Sequence, residues 1–323
     1  MDVYRLFKLM SDRSSHNKRI AKNTLFLYLR MGLVLVVSLF STRVVLQALD
    51  IEDYGINNVV SGFVTMFAFL NTSMSNGVQR FYNFSLGRKN GYSIKDVYNT
   101  ALQIQAILAV TLLVPLETFG MWYIHTQMVI PIDRFAAAQW VFQFSVLSLV
   151  LLVLQIPYSA AIMAYEKMDY YAYLSIFDVL AKLGIAYIIK YTTFDKLILY
   201  GALNMLVSLI CFFLYYGYAK FHFQDLKSDF IIRKQLFKPM LYFSGWNGFG
   251  SFAYMIKSQG LNMLLNVFFG PVVNAARGVS NMAMSAIQGF QSNIVIAFRP
   301  LLIQSYATGD NERVLKLFYN FFN

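Results

Sequence analysis

Seven ionisable residues stand inside long apolar runs of the sequence: the bases Arg30, Arg43, Lys182, Lys257 and Arg277, and the acids Asp178 and Glu117. An ionisable group at membrane depth costs about 2.5–3.5 kcal/mol or more unless it is paired or hydrated, so its default reading is functional. Arg30, Lys257 and Arg277 have no acid beside them in sequence. A guanidinium offers paired donors that match phosphate or carboxylate oxygens, so the chemistry indicated is binding of an anion. Arg43 belongs to the same candidate set, although Asp50, Glu52 and Asp53 are within reach of its long side chain. Asp178 and Lys182 are four residues apart, a spacing that lets them neutralise each other on one helix face. With Glu117, they are the candidates for carrying a coupling proton or ion.

Other chemistries lack their residues. His16, His125 and His222 are far apart, and the single cysteine, Cys211, permits no intramolecular disulfide or cysteine-based metal cluster. Gly245, Gly248 and Gly250 lack the following Lys and Ser or Thr of a phosphate loop. No cofactor or metal is expected.

The elements that must hold these residues are membrane helices. Of 323 residues, 58% are hydrophobic and 13% charged, against about 45–50% and about 25% in soluble domains. That composition excludes a soluble single domain. Eight runs are long enough to cross a hydrocarbon core, which takes about 20 residues: 22–49, 54–86, 97–123, 135–164, 170–191, 194–219, 237–269 and 271–298. A ninth apolar stretch, 314–323, reads as the start of another helix. Residues 1–21 contain no apolar run long enough for a cleaved signal, so the first span is expected to act as the insertion signal. Pro115, Pro157 and the glycines at 245, 248 and 250 are expected bends.

The formal charge of +11 is best read by location. Nineteen of the 27 Lys and Arg fall in loops on one side of these spans and three, Arg134, Lys190 and Lys196, on the other. Positive-inside then places the N-terminus in the cytoplasm of a multi-pass membrane protein. Nucleic acid is not the partner that this charge distribution suits.

Polar residues recur at helical spacing within the spans. Asn58, Ser61, Thr65, Thr72, Asn76 and Gln79 form one stripe, Asn247, Ser251, Ser258, Asn262 and Asn266 a second, and Arg277, Asn281, Gln288 and Ser292 a third. Interhelical hydrogen bonding accounts for small polar groups. Lys257 and Arg277 require solvation as well, so the stripes are read as the wall of a water-filled cavity. Asn76, Gln79, Asn281 and Gln288 join the substrate-binding candidates.

A repeat is visible at the loops. Arg80 and Gly87, at the end of the second span, correspond to Arg299 and Gly309 at the end of the eighth. An even number of spans separates them, so the copies share one orientation. The expected organisation is a cytoplasmic segment 1–21, a first six-helix lobe 22–219, an inter-lobe loop 220–236 and a partial second lobe 237–323. The chain is expected to be the first part of a longer protein.

Particular runs resemble a known family. Ser41-Thr42-Arg43-Val44-Val45-Leu46, Glu52-Asp53-Tyr54-Gly55-Ile56 and Asn58-Val59-Val60-Ser61-Gly62 are similar to bacterial polysaccharide biosynthesis proteins of the O-antigen flippase (Wzx) type. So are Gln79-Arg80-Phe81, Ile156-Pro157-Tyr158, Ala164-Tyr165-Glu166-Lys167-Met168 and the loop from Arg299-Pro300 to Gly309-Asp310. The resemblance implies membership of the multidrug, oligosaccharidyl-lipid and polysaccharide exporter superfamily, an all-α polytopic fold of two six-helix lobes, and alternating access. It implies a substrate, an oligosaccharide unit on undecaprenyl pyrophosphate, moved to the periplasmic leaflet for O-antigen or capsule assembly. Membrane lipids and other polysaccharide-assembly proteins are the partners it suggests.

Two rivals follow from the same residues. A cation-coupled multidrug exporter of the superfamily would place acids in the cavity, whereas here deep cations outnumber acids. A membrane polymerase or glycosyltransferase needs paired carboxylates or a large outer loop, and neither is present. The topology is testable: reporter fusions after Asp53 and after Lys227 should report opposite sides of the membrane, and the same side for both would refute it.

Overall fold

The computed structural model describes residues 2–65, 67–87, 92–126, 130–226 and 234–322. They form helices with no strand among them: α1 (Asp2–Thr65), α2 (Ala68–Gly87), α3 (Ile94–Pro115), α4 (Met121–Thr126), α5 (Phe135–Ala164), α6 (Met168–Lys190), α7 (Lys196–His222), α8 (Lys234–Ala307) and α9 (Asn311–Phe322). Five segments are long and apolar enough to cross a membrane: Leu25–Asp50, Ile94–Thr126, Ile132–Ala164, Met168–Lys190 and Lys196–His222.

α1 is two helices joined at Asp50, whose φ of 63° and ψ of 170° break the helical path. That pair of angles lies in a region that residues other than glycine rarely occupy. The first limb packs on α6, with Val44, Val45, Ala48 and Leu49 against Ile185, Ala186 and Ile189. The second limb, 51–65, buries Ile56, Val60 and Val64 with α5 residues from Ala137 to Val153. The run expected as one span over 54–86 is therefore interrupted: α1 ends at Thr65 and α2 starts at Ala68.

α3 passes through a π turn, Leu116–Gly120, into α4. The turn begins immediately after Pro115, which has no N–H to continue the α ladder. Pro157 lies within an uninterrupted α5. No cap or break marks the glycines at 245, 248 and 250 inside α8.

The path of α8 follows from its contacts with α2. Phe252, Ser244 and Phe243 meet Phe69, Ser73 and Phe81, so this part runs antiparallel to α2. Arg299, Gln304 and Tyr306 meet Asn76, Asn83 and Phe84, so the later part runs parallel to it. Residues 244 and 299 would be about 80 Å apart in one straight helix, yet both touch the same turn of α2. The chain therefore reverses between residues 252 and 299.

Two glycines permit this seam. A Cβ on Gly77 would collide with the Ser244 hydroxyl, and one on Gly87 would lie 2.6 Å from the backbone oxygen of Gln304. Close approach of helices through small residues is how membrane bundles gain packing without a hydrophobic drive.

A charge network ties three helix starts together. Arg134, just before α5, donates to Asp53 at the start of the 51–65 limb and to Asp195, the N-cap of α7, at 2.7 Å. Asp53 was an expected partner for Arg43; it binds Arg134 instead, and Arg43 is exposed. Burial pushes the Asp53 carboxyl above its usual range, against the opposing pull of Arg134.

Replacing Gly87 by Leu should force the α2–α8 seam apart and cost about 1–3 kcal/mol. The measurement is thermal unfolding of the purified protein in detergent, where an unchanged midpoint would contradict the seam.

Candidate functional site

A cavity of about 560 Å³ lies among the first limb of α1, the 51–65 limb, α5, α6 and α7. Its wall carries polar groups from every one of these elements: Arg30, Asn57 and Ser61, Ser145 and Ser148, Asp178 and Lys182, and Asn204 and Ser208. Each pair recurs at three or four residues, so each helix turns one polar face inward.

Arg30 is the exceptional group. Its guanidinium carbon sits 5.0 Å from the centre of the Tyr171 ring, a cation–π stack that holds the plane. Its Nε and Nη1 are buried with no hydrogen-bond partner. A charge in this state is costly, and no carboxylate among the described residues pairs with it. The second cation is committed: Lys182 Nζ donates to Asp178 Oδ2 at 2.8 Å on the same helix.

The hydroxyls around the cavity are spent in the other sense. Ser145 and Ser148 donate to the carbonyls of Val141 and Phe144, each at 2.8 Å, Ser175 to Tyr171 at 2.9 Å, and Ser208 to Asn204 at 3.1 Å. Ser61 donates likewise to Asn57, and Asn204 Nδ2 donates to Tyr200 at 2.8 Å. Such back-bonding satisfies the donor within its own helix. It leaves those hydroxyl and amide oxygens as acceptors, on a wall that also carries the donors of Arg30, Lys182, Gln155, Tyr171 and Tyr200. A ligand with many hydroxyl donors and one anionic group complements that pattern.

The other candidates from sequence lie elsewhere. Asn76 and Gln79 are at the α2–α8 seam: Asn76 Oδ1 accepts from Arg299, and Gln79 is buried with its Nε2 unpartnered. The stripe that joined them to Ser61 is divided by the break after Thr65. Lys257 and Gln288 are exposed on α8. The side chains of Arg277 and Asn281 lie outside the described residues. Glu117 is in the π turn, where it accepts from Gln143 at 2.9 Å, away from the cavity wall. Arg299, read from sequence as a loop residue, is inside α8, which continues to Ala307. Residues 145, 148, 204 and 208 were missed, although their i, i+3 and i, i+4 spacing on apolar helices was a readable signal.

This architecture recurs in solved structures of transporters. A multidrug resistance MATE family transporter of the MOP superfamily, in an outward-facing conformation, matches with a TM-score of 0.75 at 12% identity, over 94% of this chain and 68% of that one. A MATE transporter of Vibrio cholerae matches at 0.74 and 11% identity, over 94% and 69%. A MOP superfamily transporter from Pyrococcus furiosus, described by a reverse polarity of its binding pocket that suggests a different function, matches at 0.70 and 12%, over 93% and 68%. No family model and no curated relative matches the sequence. The chain has the MATE-like all-helical fold of this superfamily, and at these identities the likeness concerns the fold.

Because Arg30 is uncompensated, Arg30→Met should raise the unfolding midpoint of the ligand-free protein by several degrees. Thermal melts with and without the substitution test this, and a large loss of stability would contradict the unpaired state.

Proposed function

We propose that this chain is the first lobe and the opening of a second lobe of a membrane transporter of the MOP superfamily, working by alternating access. Its cargo is an anionic lipid-linked oligosaccharide, of the undecaprenyl pyrophosphate type, carried from the cytoplasmic to the periplasmic leaflet for surface polysaccharide assembly. The observation that carries this reading is the Arg30 guanidinium on the cavity wall, which no carboxylate pairs among the described residues. Saccharide hydroxyls supply donors to that wall, and an acidic group meets Arg30. The cavity volume of about 560 Å³ falls within the range of sites that enclose small ligands, about 300–1,000 Å³. The inner-membrane location and cytoplasmic N-terminus belong to the same proposal, supported by the distribution of Lys and Arg.

A second reading, a cation-coupled multidrug exporter, fits the fold likeness as well. Its specific support is Asp178, a carboxylate on the cavity wall that would attract a cationic compound if Lys182 moved away. The two readings separate in one experiment. Deleting the gene should leave lipid-linked oligosaccharide on the cytoplasmic leaflet and deplete surface polysaccharide, with drug susceptibility unchanged. Normal polysaccharide with increased sensitivity to cationic drugs would favour the exporter of drugs. Complementation with Arg30→Ala should restore less than about a tenth of wild-type surface polysaccharide while the protein still inserts, the effect of losing a charge-assisted contact of about 1.5–3 kcal/mol.

A further inference from the structure

The cavity has two unlike ends, and helix register decides which groups belong to each. The Arg30 guanidinium stacks on Tyr171 near the start of α6, and Val44, Val45, Ala48 and Leu49 pack with Ile185, Ala186 and Ile189 near its end. The first limb of α1 and α6 therefore run side by side in the same direction. Tyr170 stacks on Tyr218 with 3.5 Å between ring centroids, so α7 runs back along α6 and its last turns lie at the Arg30 end. Val141 and Phe144 lie beside Gly201, and Tyr158 meets Tyr216, so α5 follows the direction of α7.

Along this axis the wall changes character. Arg30, Tyr171 and Tyr215 line one end. At 1.5 Å per residue, Asn204 is about 16 Å further along α7 than Tyr215, and Tyr200 about 22 Å. Asn57 belongs to the far end, one turn from Asp53, which Arg134 ties to Asp195 at the start of α7. Beyond Arg30, charge on the wall cancels within one pair, in which Lys182 donates to Asp178 at 2.8 Å. The other polar groups of the far half are neutral amides and hydroxyls, among them Asn57, Ser61, Ser145, Tyr200 and Asn204.

Resting on the reading that this cavity receives an anionic saccharide, we propose that it holds that ligand in one direction, with the anionic group at Arg30 and the uncharged saccharide along the wall from Ser208 to Asn57. Asn204 and Asn57 are the residues that select the saccharide. Asn204 Nδ2 donates to the Tyr200 carbonyl at 2.8 Å, which leaves Oδ1 to accept from a sugar hydroxyl. The Asn57 amide carries both donors and an acceptor, and a hydroxyl can answer either.

The reverse direction is disfavoured. It would set the anion beside a lysine already neutralised by Asp178 and turn neutral hydroxyls towards Arg30, losing the charge-assisted contact, which is the stronger kind. Reach follows from the same geometry. A single hexose anchored through its phosphate at Arg30 ends short of Asn204, whereas an oligosaccharide arrives there.

The test is binding of three probes to the full chain in lipid nanodiscs at one fixed pH: methyl phosphate, glucose 1-phosphate and maltotriose 1-phosphate. Each carries one phosphate, and they differ in the length of saccharide behind it. Maltotriose 1-phosphate should bind about tenfold more tightly than methyl phosphate, the effect of one or two neutral hydrogen bonds. Asn204→Leu and Asn57→Leu should each remove most of that gain and leave methyl phosphate binding unchanged, which also controls for folding. Glucose 1-phosphate should respond to neither substitution, and Arg30→Gln should weaken all three probes about tenfold or more. Equal affinity of wild type for methyl phosphate and maltotriose 1-phosphate overturns this inference and leaves the anion reading intact, as does a gain that neither asparagine substitution alters. Loss of methyl phosphate binding in both asparagine variants overturns it too, and so does glucose 1-phosphate losing as much as the trisaccharide. Binding that is absent from wild type, or that Arg30→Gln does not weaken, overturns the inference and the anion reading together.

Discussion

A guanidinium without a carboxylate, inside a helical bundle, is the constraint around which the rest of this structure is arranged. Arg30 cannot be hidden in hydrocarbon and has no acid to meet it, so the bundle must give it water, a ligand, or both. The helices around it comply by turning serine and asparagine faces inward. Tyr171 holds the guanidinium plane without neutralising it. The nearest acid on the cavity wall is occupied by its own lysine one helical turn away, which keeps Asp178 from collapsing onto Arg30 and closing the site.

The architecture explains how such a site survives in an otherwise apolar molecule. Each wall serine satisfies its own donor by bonding back to the preceding turn, so the polar faces cost little even when dry. The helices are fixed around the cavity at two places. At one end Arg134 joins the starts of the 51–65 limb, α5 and α7; elsewhere small residues let α2 lie against both limbs of α8. Cavity and seam use polar residues for different purposes: exposure to a ligand in one, close helix contact in the other.

Much of the fold was legible because apolar length and loop charge are direct signals of membrane helices. The separate identities of the first two spans were visible from Asp50, Glu52 and Asp53, and the structure places the turn at Asp50 itself. Pro115 announced the π turn. What composition could not show was the third dimension. The stripe from Ser61 to Gln79 spans two helices, with Ser61 on the cavity wall and Gln79 buried on α2 away from it. Arg299 followed an apolar run and so read as a loop residue, whereas its helix continues to Ala307. Arg30 was recognisable from its depth and lack of an acid. Its neighbours were not, because Asn204 and Ser208 are ordinary residues until α7 is wrapped against α1 and α6.

The central claim is that Arg30 is the group that receives an anion. The most direct measurement is crystallographic: soak the protein with selenate and locate selenium by anomalous scattering. The account predicts a peak in the cavity beside the Arg30 guanidinium. A cavity without that peak, or an Arg30 found paired to the Asp178 carboxylate, would contradict it.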